Sequence, residues 1–375
     1  MSKLILPFYF LILIVFSLFS YVFIDPNLVY LKDIYTGFAF QERTITSILY
    51  IALILLLFFS YSQILKNIRI LNISNVKFLV GGTLGILIFS YPAFLSFDIF
   101  NYTTTAKTLF FYNENPYIVM PIEFTGDSLL LFTHAANKIA LYGPSWIAIT
   151  AVPFLFGFGD ILLTVFSFKV FIGLFYLGTV YLLWKMTKNL FSVSLFALNP
   201  LVLIEILMSS HNDIVMMFFA LFSFFLLSKK KLVLAFFFLL FSILIKYATL
   251  FLLPVFLYTA VKVIKKEKIN WQKIFFLSFL SMFVIFLLSH FREEIYPWYA
   301  IWFLPFAVLI LKRKIILYIS LAFSFGLLFR YVPFMFYGTH FGITPIIKNL
   351  VTFAPPFLVL FYYFFKNKLW LKISP

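Results

Sequence analysis

The sequence predicts an all-α polytopic membrane protein, and three observations support this fold class. Of the 375 residues, 64% are hydrophobic and only 11% are charged, and no soluble domain of this size needs so many apolar side chains. Uncharged runs close to the ~20 residues of a spanning helix recur along the chain. Short clumps of Lys and Arg separate these runs, as in proteins whose basic cytoplasmic loops fix their topology. We therefore expect residues 1–375 to form one membrane domain.

The basic clumps define a topology. About 12 transmembrane helices with both termini inside place every clump in the cytoplasm, at 4–24, 45–65, 78–97, 160–184, 190–208, 212–228, 232–246, 247–262, 273–290, 297–311, 315–332 and 347–365. Residues 145–158 are apolar, but they are short and Pro153 interrupts them, so we expect an interfacial helix there. Residues 98–158 then form a long outer loop that contains interfacial helices.

Charge and composition also limit the possible partners. The net charge is +16, but the basic clumps set topology and no nucleic-acid motif is present, so we expect membrane lipids and no nucleic acid. The chain has no cysteine, which excludes disulfides, iron–sulfur clusters and thiolate zinc sites. Nearly all acidic residues and all four histidines fall on or near the predicted outer side. We expect a multi-pass plasma-membrane protein whose active site is extracytoplasmic.

The apolar run Phe78–Phe97 ends on a lone carboxylate, Asp98, in the stretch FLSFDIFNY. One interpretation is an N-cap for a helix over Ile99–Phe111, because Asp accepts hydrogen bonds from the free amides of a first helical turn. The other is a general base in partial shelter at the outer surface, where a membrane-soluble and a water-soluble reactant meet. The two roles are compatible.

Two cations lie alone within apolar surroundings. Lys246 is the only charge between Leu232 and Val261, a run whose two ends are predicted to be cytoplasmic. A hairpin of two short helices would put its ammonium group at the outer turn, where a lone cation favours an anion. The alternative is a snorkelling lysine that marks a helix end. Arg330 lies near the outer end of its own predicted span.

The segment NPLVLIEILMSSHNDIVM, residues 199–216, interrupts a predicted span at Pro200. Glu205 lies inside the outer end of that span, where a carboxylate is unfavourable and usually functional. His211, Asn212 and Asp213 form the tip. A zinc site at His211 is disfavoured, because the sequence has neither HExxH nor a second ligand at a recognised spacing. A tip that forms hydrogen bonds to polar ligand groups fits better.

Aromatic side chains gather on the same predicted side. NENPYIVMP places Tyr117 after an Asn-Pro turn, and YGPSW places Tyr142 before a Gly-Pro turn. HFREEIYPWYAIWFLP supplies Arg292, Tyr296 and Trp298. These aromatics are either an interfacial belt or surfaces on which sugar rings stack.

In this order, SFDIFNY followed by NPY, YGPSW, NPLVLIE…HND, LIKYATLFLLP and YPWYAIWFLP resemble the GT-C superfamily of polytopic glycosyltransferases. The resemblance covers residues 94–305 and is closest to bacterial polyprenyl-phosphomannose-dependent α-mannosyltransferases. It implies that a sugar, mannose, moves from a polyprenyl-phosphate donor to an extracytoplasmic lipid-linked or glycan acceptor with inversion. It also implies an outer loop with interfacial helices after the catalytic Asp.

The resemblance gives Asp98 the role of general base toward the acceptor hydroxyl. It implies that Lys246, Arg292 and Arg330 contact the donor phosphate through preorganised charge. Some relatives carry Asp-x-Asp, whereas residues 98–100 here read Asp-Ile-Phe, so no metal cofactor is expected. Substrate binding falls to the polar and aromatic residues Tyr102, Tyr117, Tyr142, Glu205, His211, Asn212, Asp213, Tyr296 and Trp298.

A secondary transporter, or a lipid or polysaccharide flippase, is the competing class. Transporters place ionisable groups near the midplane on broken helices and commonly contain internal repeats. Lys169, within the predicted fourth span, is the residue that best fits this alternative. No convincing repeat is present, however, and most ionisable groups lie near one predicted surface.

Overall fold

The computed structural model describes residues 4–24, 37–292 and 294–373, and only the backbone at Arg292 and at 367–373. The described residues form helices and contain no strand, which confirms the predicted all-α class. The helices are α1 (Ile5–Ser20), α2 (Phe38–Gln41), α3 (Arg43–Lys66), α4 (Ile73–Leu87), α5 (Asp98–Phe110), α6 (Pro144–Ile149), α7 (Ala151–Leu155), α8 (Ile161–Thr187), α9 (Leu190–Ala197), α10 (Pro200–Met208), α11 (Asp213–Ser228), α12 (Leu232–Ile243), α13 (Leu253–Ile264), α14 (Trp271–Arg292), α15 (Leu304–Leu309), α16 (Lys314–Phe329), α17 (Val332–Tyr337) and α18 (Thr344–Ile373).

The helix lengths confirm a polytopic membrane protein. Seven described segments are long and apolar enough to cross a membrane, and an eighth is added if α9 and α10, which are bent by 48°, count as one span. Four shorter apolar helices, α4, α11, α12 and the segment Pro297–Leu309, overlap the remaining predicted spans. The total of about 12 crossings therefore stays a prediction, as does the interfacial position of α6 and α7.

The third predicted span, 78–97, is wrong in its bounds. Helix α4 already ends at Leu87, and Pro92 opens a separate short 3-10 turn. Proline ends the helical pattern because it has no backbone N–H for an internal hydrogen bond. Asp98 therefore begins the next helix, α5, instead of ending a membrane span.

The break between α9 and α10 leaves backbone groups that need new partners. Pro200 gives no N–H to the preceding turn, and hydrocarbon offers a free carbonyl no hydrogen bond. The hydroxyl of Tyr61 donates to the carbonyl of Leu195, and that of Tyr176 donates to the carbonyl of Ala197, both at 2.7 Å. Two buried tyrosines, from α3 and α8, thus stabilise the break.

Lys169 of α8 joins two further helix ends. It is 4% exposed, and its Nζ donates to the carbonyl of Leu87 at 3.1 Å and to Oγ of Ser90 at 2.8 Å, with the carbonyl of Met208 at 3.4 Å. Leu87 and Met208 end α4 and α10, and cations are favourable at helix C-termini. Lys169 thus ties the segment before α5 to the loop after α10.

Helices α16 and α18 pack closely at Gly326. A Cβ there would lie 2.6 Å from the carbonyl oxygen of Val351 and 2.7 Å from that of Thr352. One turn later, Arg330 donates to Oδ1 of Asn349 at 3.2 Å and to Oγ1 of Thr352 at 3.1 Å. The close packing therefore holds one of the predicted phosphate-binding cations against α18.

The predicted orientation is testable because the chain has no cysteine. Asn137, Lys230, Arg313 and Phe341 have exposed side chains. We expect Asn137→Cys and Phe341→Cys to react with an impermeant maleimide added outside intact cells. Lys230→Cys and Arg313→Cys should react only after the membrane is permeabilised. Protection of position 137 until permeabilisation would contradict the orientation.

Candidate active site

Asp98 is held weakly at the start of α5. Its side chain is partly exposed, and among the described residues its carboxylate has one hydrogen bond, from Nδ2 of Asn101 at 3.4 Å. Oδ1 of Asn101 accepts from the amide of Ala135 at 3.3 Å, which ties the outer loop to α5. An ionised carboxylate accepts about four hydrogen bonds, so most of its capacity remains for a ligand.

Of the two interpretations of Asp98 drawn from the sequence, the N-cap is wrong. Helix α5 begins at Asp98 itself, and Phe97 occupies the N-cap position without a side-chain hydrogen bond. Within the described part of the chain, no amide of the first turn donates to the Asp98 carboxylate. The charge still lies favourably near the positive end of the helix dipole, but a hydrogen-bonded cap does not explain the residue.

Glu205 lies in a π-helical stretch of α10, Leu203–Met208, a geometry frequent at functional sites. Its carboxylate accepts from the hydroxyl of Tyr331 at 3.1 Å and lies 3.2 Å from Nδ1 of His211. The same Nδ1 lies 2.9 Å from the backbone carbonyl of Glu205. Because both contacts are acceptors, Nδ1 carries the proton. Glu205 therefore fixes the orientation and tautomer of a fully buried imidazole.

Asp213, at the start of α11, pairs with Lys246. The Lys246 ammonium lies 3.0 and 3.1 Å from the two carboxylate oxygens, and Nε1 of Trp302 donates to one of them at 2.5 Å. The ammonium also lies 5.1 Å from the ring centroid of Tyr299 and 5.8 Å from that of Trp302, within cation–π range. Lys246 occupies the hairpin turn as predicted, but its anion is a carboxylate of the same chain.

The connection between α10 and α11, Ser209–Asn212, is here named the polar loop. Five of its buried side-chain atoms have no hydrogen-bond partner in the described structure: Oγ of Ser209 and of Ser210, Nε2 of His211, and the amide oxygen and nitrogen of the Asn212 side chain. Buried polar atoms are normally paired. Several unpaired atoms in four consecutive residues therefore indicate a place where a ligand supplies the missing partners.

A stack of rings orients His211. Trp298 lies on the imidazole with ring centroids 4.1 Å apart, and Tyr296 lies on Trp298 at 4.5 Å, both nearly parallel. Both faces of Trp298 are thus covered. This ring positions the imidazole, and neither of its faces is free for sugar stacking, one of the two roles that the sequence left open for these aromatics.

A second aromatic group supports the polar loop. The hydroxyl of Tyr102 accepts from the amide of Asn212 at 3.2 Å. The Tyr102 ring packs edge-on against Tyr142 and Trp146, at 4.9 and 5.0 Å between centroids. Tyr117 donates its hydroxyl to the backbone carbonyl of Tyr142 at 2.7 Å, which braces the loop.

Several side chains of these segments lie within electrostatic range of Asp98. Its charge lies close enough to interact with the hydroxyls of Tyr102, Tyr142 and Tyr331 and with the imidazole of His211. Residues far apart along the chain therefore form one site around the carboxylate and the polar loop.

The YGPSW turn attaches to the hairpin that carries Lys246. The amide of Gly143 donates to the carbonyl of Ile245 at 3.1 Å, and that of Ser145 donates to the carbonyl of Leu244 at 3.0 Å. A Cβ at Gly143 would overlap the Leu244 carbonyl. Glycine is required here for close approach, and this contact fixes the backbone directly before Lys246.

A group named here the outer cation cluster comprises Glu294, Arg330, His340 and Lys348. Arg330 Nη2 and Lys348 Nζ both donate to Oε1 of Glu294 at 2.8 Å. Burial opposes ionisation of Glu294, but these two cations outweigh it and hold its pKa below the usual value. Burial and the charge of Lys348 lower the pKa of His340, whose Nδ1 lies 3.4 Å from Lys348 Nζ.

Sequence reasoning missed several residues of the site. Lys348 is a lone cation near one end of an apolar run, the same signal that identified Lys246. Trp146 ends the YGPSW motif, whereas Tyr331 has no signal that separates it from other interfacial aromatics. The side chain of Arg292 lies outside the described residues.

The described side chains include no group of three or more His, Asp or Glu placed to share a metal ion. The expectation that no metal is needed stays a prediction.

We expect Gly143→Ala to reduce activity strongly, because its methyl group would push the Leu244–Ile245 turn and displace Lys246. Gly85→Ala is the matched control, since a Cβ there meets nothing within 4 Å. Activity of both purified variants should be compared at equal amounts of folded protein. Full activity of Gly143→Ala would contradict the role given to this contact.

Comparison with known proteins identifies the family of the chain. The model of the MptA_B family, alpha-(1->6)-mannopyranosyltransferase, N-terminal domain, matches residues 27–262. No curated protein and no solved structure matches the chain. The matched region is more than half of the chain and includes Asp98, the polar loop and Lys246. The chain therefore belongs to the MptA_B family of alpha-(1->6)-mannopyranosyltransferases and is a membrane-embedded mannosyltransferase.

Proposed function

We propose that the enzyme transfers mannose from a polyprenyl-phosphate donor to a hydroxyl of an extracytoplasmic lipid-linked or glycan acceptor, with inversion and with Asp98 as general base. The observation that carries this proposal is the Asp98 carboxylate, which is partly exposed, weakly held by Asn101 at 3.4 Å and within electrostatic range of His211 in the polar loop. A general base needs this combination of free acceptor capacity and shelter.

The reaction requires one proton transfer and one displacement. As the acceptor oxygen attacks the anomeric carbon, its O–H proton passes to the Asp98 carboxylate. The new carbon–oxygen bond forms on the face opposite the phosphate, and the bond to the phosphate oxygen breaks with its electron pair. Attack and departure on opposite faces invert the configuration. Asp98 then returns its proton to water.

The polar loop supports recognition of the sugar. Sugar hydroxyls both donate and accept hydrogen bonds, and the loop offers two hydroxyls, an amide and Nε2 of His211, all buried and unpaired. A ligand without these hydroxyls would leave the buried groups unsatisfied, which discriminates strongly against it. The proposed sugar-binding residues are therefore Ser209, Ser210, His211 and Asn212, oriented by Glu205 and Tyr102.

Lys246, Arg292 and Arg330 are proposed to contact the donor phosphate. Lys246 is 26% exposed, and its contacts with Asp213 leave donor capacity on an ammonium group with three N–H bonds. Charged hydrogen bonds of this kind contribute roughly 1.5–3 kcal/mol each. Bound to Asp213, Lys246 offers a phosphate hydrogen bonds without adding net positive charge.

The charge pattern supports an extracytoplasmic active site in the plasma membrane. The basic clumps mark the opposite side as cytoplasmic, and nucleotide sugars remain in the cytoplasm. An enzyme on the outer face therefore cannot use a nucleotide sugar. A lipid-linked donor can reach it, because the lipid carries the sugar within the membrane to the outer face.

Lys169, the residue that best fitted the transporter or flippase alternative, has structural contacts. Lys169 donates hydrogen bonds to helix ends and to Ser90, so a structural role accounts for its buried ammonium. Membership in a mannosyltransferase family favours the enzyme over this alternative.

The decisive variant is Asp98→Asn, which keeps the size of the side chain and removes the base. We expect normal insertion and a transfer rate lower by about 10²-fold or more, the usual effect of losing a positioned base. Transfer from labelled polyprenyl-phosphomannose to a panel of lipid-linked and glycan acceptors measures this rate. Wild-type transfer by Asp98→Asn would rule out Asp98 as the base.

Asp160 provides the matched control, because its Oδ1 accepts from the amide of Leu163 at 2.7 Å and caps α8. Asp160→Ala should lower the free energy of unfolding by about 1 kcal/mol and leave transfer per folded molecule unchanged. Asp98→Ala should show the opposite pattern: lost transfer with little change in thermal stability.

A further inference from the structure

The outer cation cluster holds two buried cations with one carboxylate. The side chains of Arg330 and Lys348 are 5% and 9% exposed, whereas that of Glu294 is 33% exposed. In the described residues, which leave out Glu293, no second carboxylate pairs with either cation. With His340 neutral, the cluster carries one excess positive charge, and buried charge without a counter-ion is unfavourable. The cluster therefore favours a further anion.

The donor groups of the cluster come from two helices. Thr344, Lys348 and Thr352 are spaced by four residues and share one face of α18. The Thr344 hydroxyl is fully buried and has no partner in the described structure. Arg330 reaches this face from the end of α16. A guanidinium and an ammonium thus meet at Glu294, and an unpaired hydroxyl lies one turn before Lys348 on the same face of α18. Donors of these types suit a phosphate.

Two connections link the cluster to the candidate active site. Arg330 precedes Tyr331, whose hydroxyl donates to Glu205. Glu294 lies two residues before Tyr296, which begins the ring stack that ends on His211. The cluster therefore borders the site around Asp98, and its carboxylate is more exposed than either of the two cations that it pairs with.

We propose that Arg330 and Lys348 bind the phosphate monoester of a prenyl-phosphate lipid, and that Glu294 is a displaceable internal anion that occupies this position when the lipid phosphate is absent. This inference rests on the proposed function, because it identifies the cluster as the subsite of the leaving group. Glu294, Arg330 and Lys348 all lie outside residues 27–262, so the family match does not assign them.

Charge balance explains why the departing group is favoured. The phosphodiester of the donor carries one negative charge, the same as Glu294. After the bond to the sugar breaks, the phosphate monoester carries about −1.5 to −2, which balances the two cations. The cluster therefore attracts the phosphate more strongly as the bond breaks, which is the requirement for catalysis. Return of Glu294 then helps to displace the product.

Binding of farnesyl phosphate tests the proposal without any sugar transfer. Calorimetric titration of the protein in phosphatidylcholine nanodiscs should show binding that Lys348→Gln weakens tenfold or more. Glu294→Gln should tighten binding tenfold or more, because the competing charge is removed. A fold defect cannot produce this gain. Glu267→Gln, which removes the carboxylate of the exposed Lys262–Glu267 pair, should leave affinity unchanged.

Several results would overturn the proposal. These are unchanged or weaker binding in Glu294→Gln, and full affinity in Lys348→Gln with an unaltered melting temperature. Farnesol, inorganic phosphate and phosphatidylglycerol are the comparison ligands, and equal binding of any of them would contradict a prenyl phosphate monoester site. Because the assay needs no acceptor, loss of transfer in the Asp98 experiment and failure of this site are independent outcomes.

Discussion

The structure depends on one constraint: polar backbone groups within a membrane must find partners inside the protein. Pro200 breaks the helix that leads into the polar loop. This break, like the ends of α4 and α10, leaves backbone carbonyl groups without a helical partner. Tyr61 and Tyr176 bind carbonyls of α9, and Lys169 binds those at the ends of α4 and α10. Residues from other helices thus satisfy the broken backbone, and five side-chain atoms of the polar loop remain unpaired and available to a ligand.

The isolated charges of the sequence predicted much of the site. In an apolar chain, a single carboxylate or ammonium is rare and therefore informative, so Asp98, Glu205 and Lys246 were identified without any structure. Which charged residues form ion pairs with each other could not be predicted from the sequence in the same way. Lys246 meets Asp213, 33 residues earlier, and this choice depends on how α11 and α12 pack.

Two other features needed the structure for a different reason. Aromatic residues are so common here, at 23% of the chain, that sequence alone could not distinguish the tyrosines of the site from lipid-facing ones. The end of α4 was also misplaced, because apolar residues continue past Leu87 through a turn that the packed interior tolerates. High hydropathy indicates that a segment lies in an apolar environment. A buried turn meets this condition as well as a helix does, so hydropathy alone could not locate the end of α4.

The pairing of charges divides the site into two electrostatic regions. Near the polar loop, Asp213 neutralises Lys246, and Glu205 accepts the Nδ1–H of His211. A neutral sugar fits such a region, since its hydroxyls need hydrogen bonds more than charge. At the outer cation cluster, two cations share one carboxylate, which leaves a positive excess. In a sugar transfer from a lipid phosphate, negative charge develops on the departing phosphate, so a positive excess at this position favours breaking the bond over holding the intact donor.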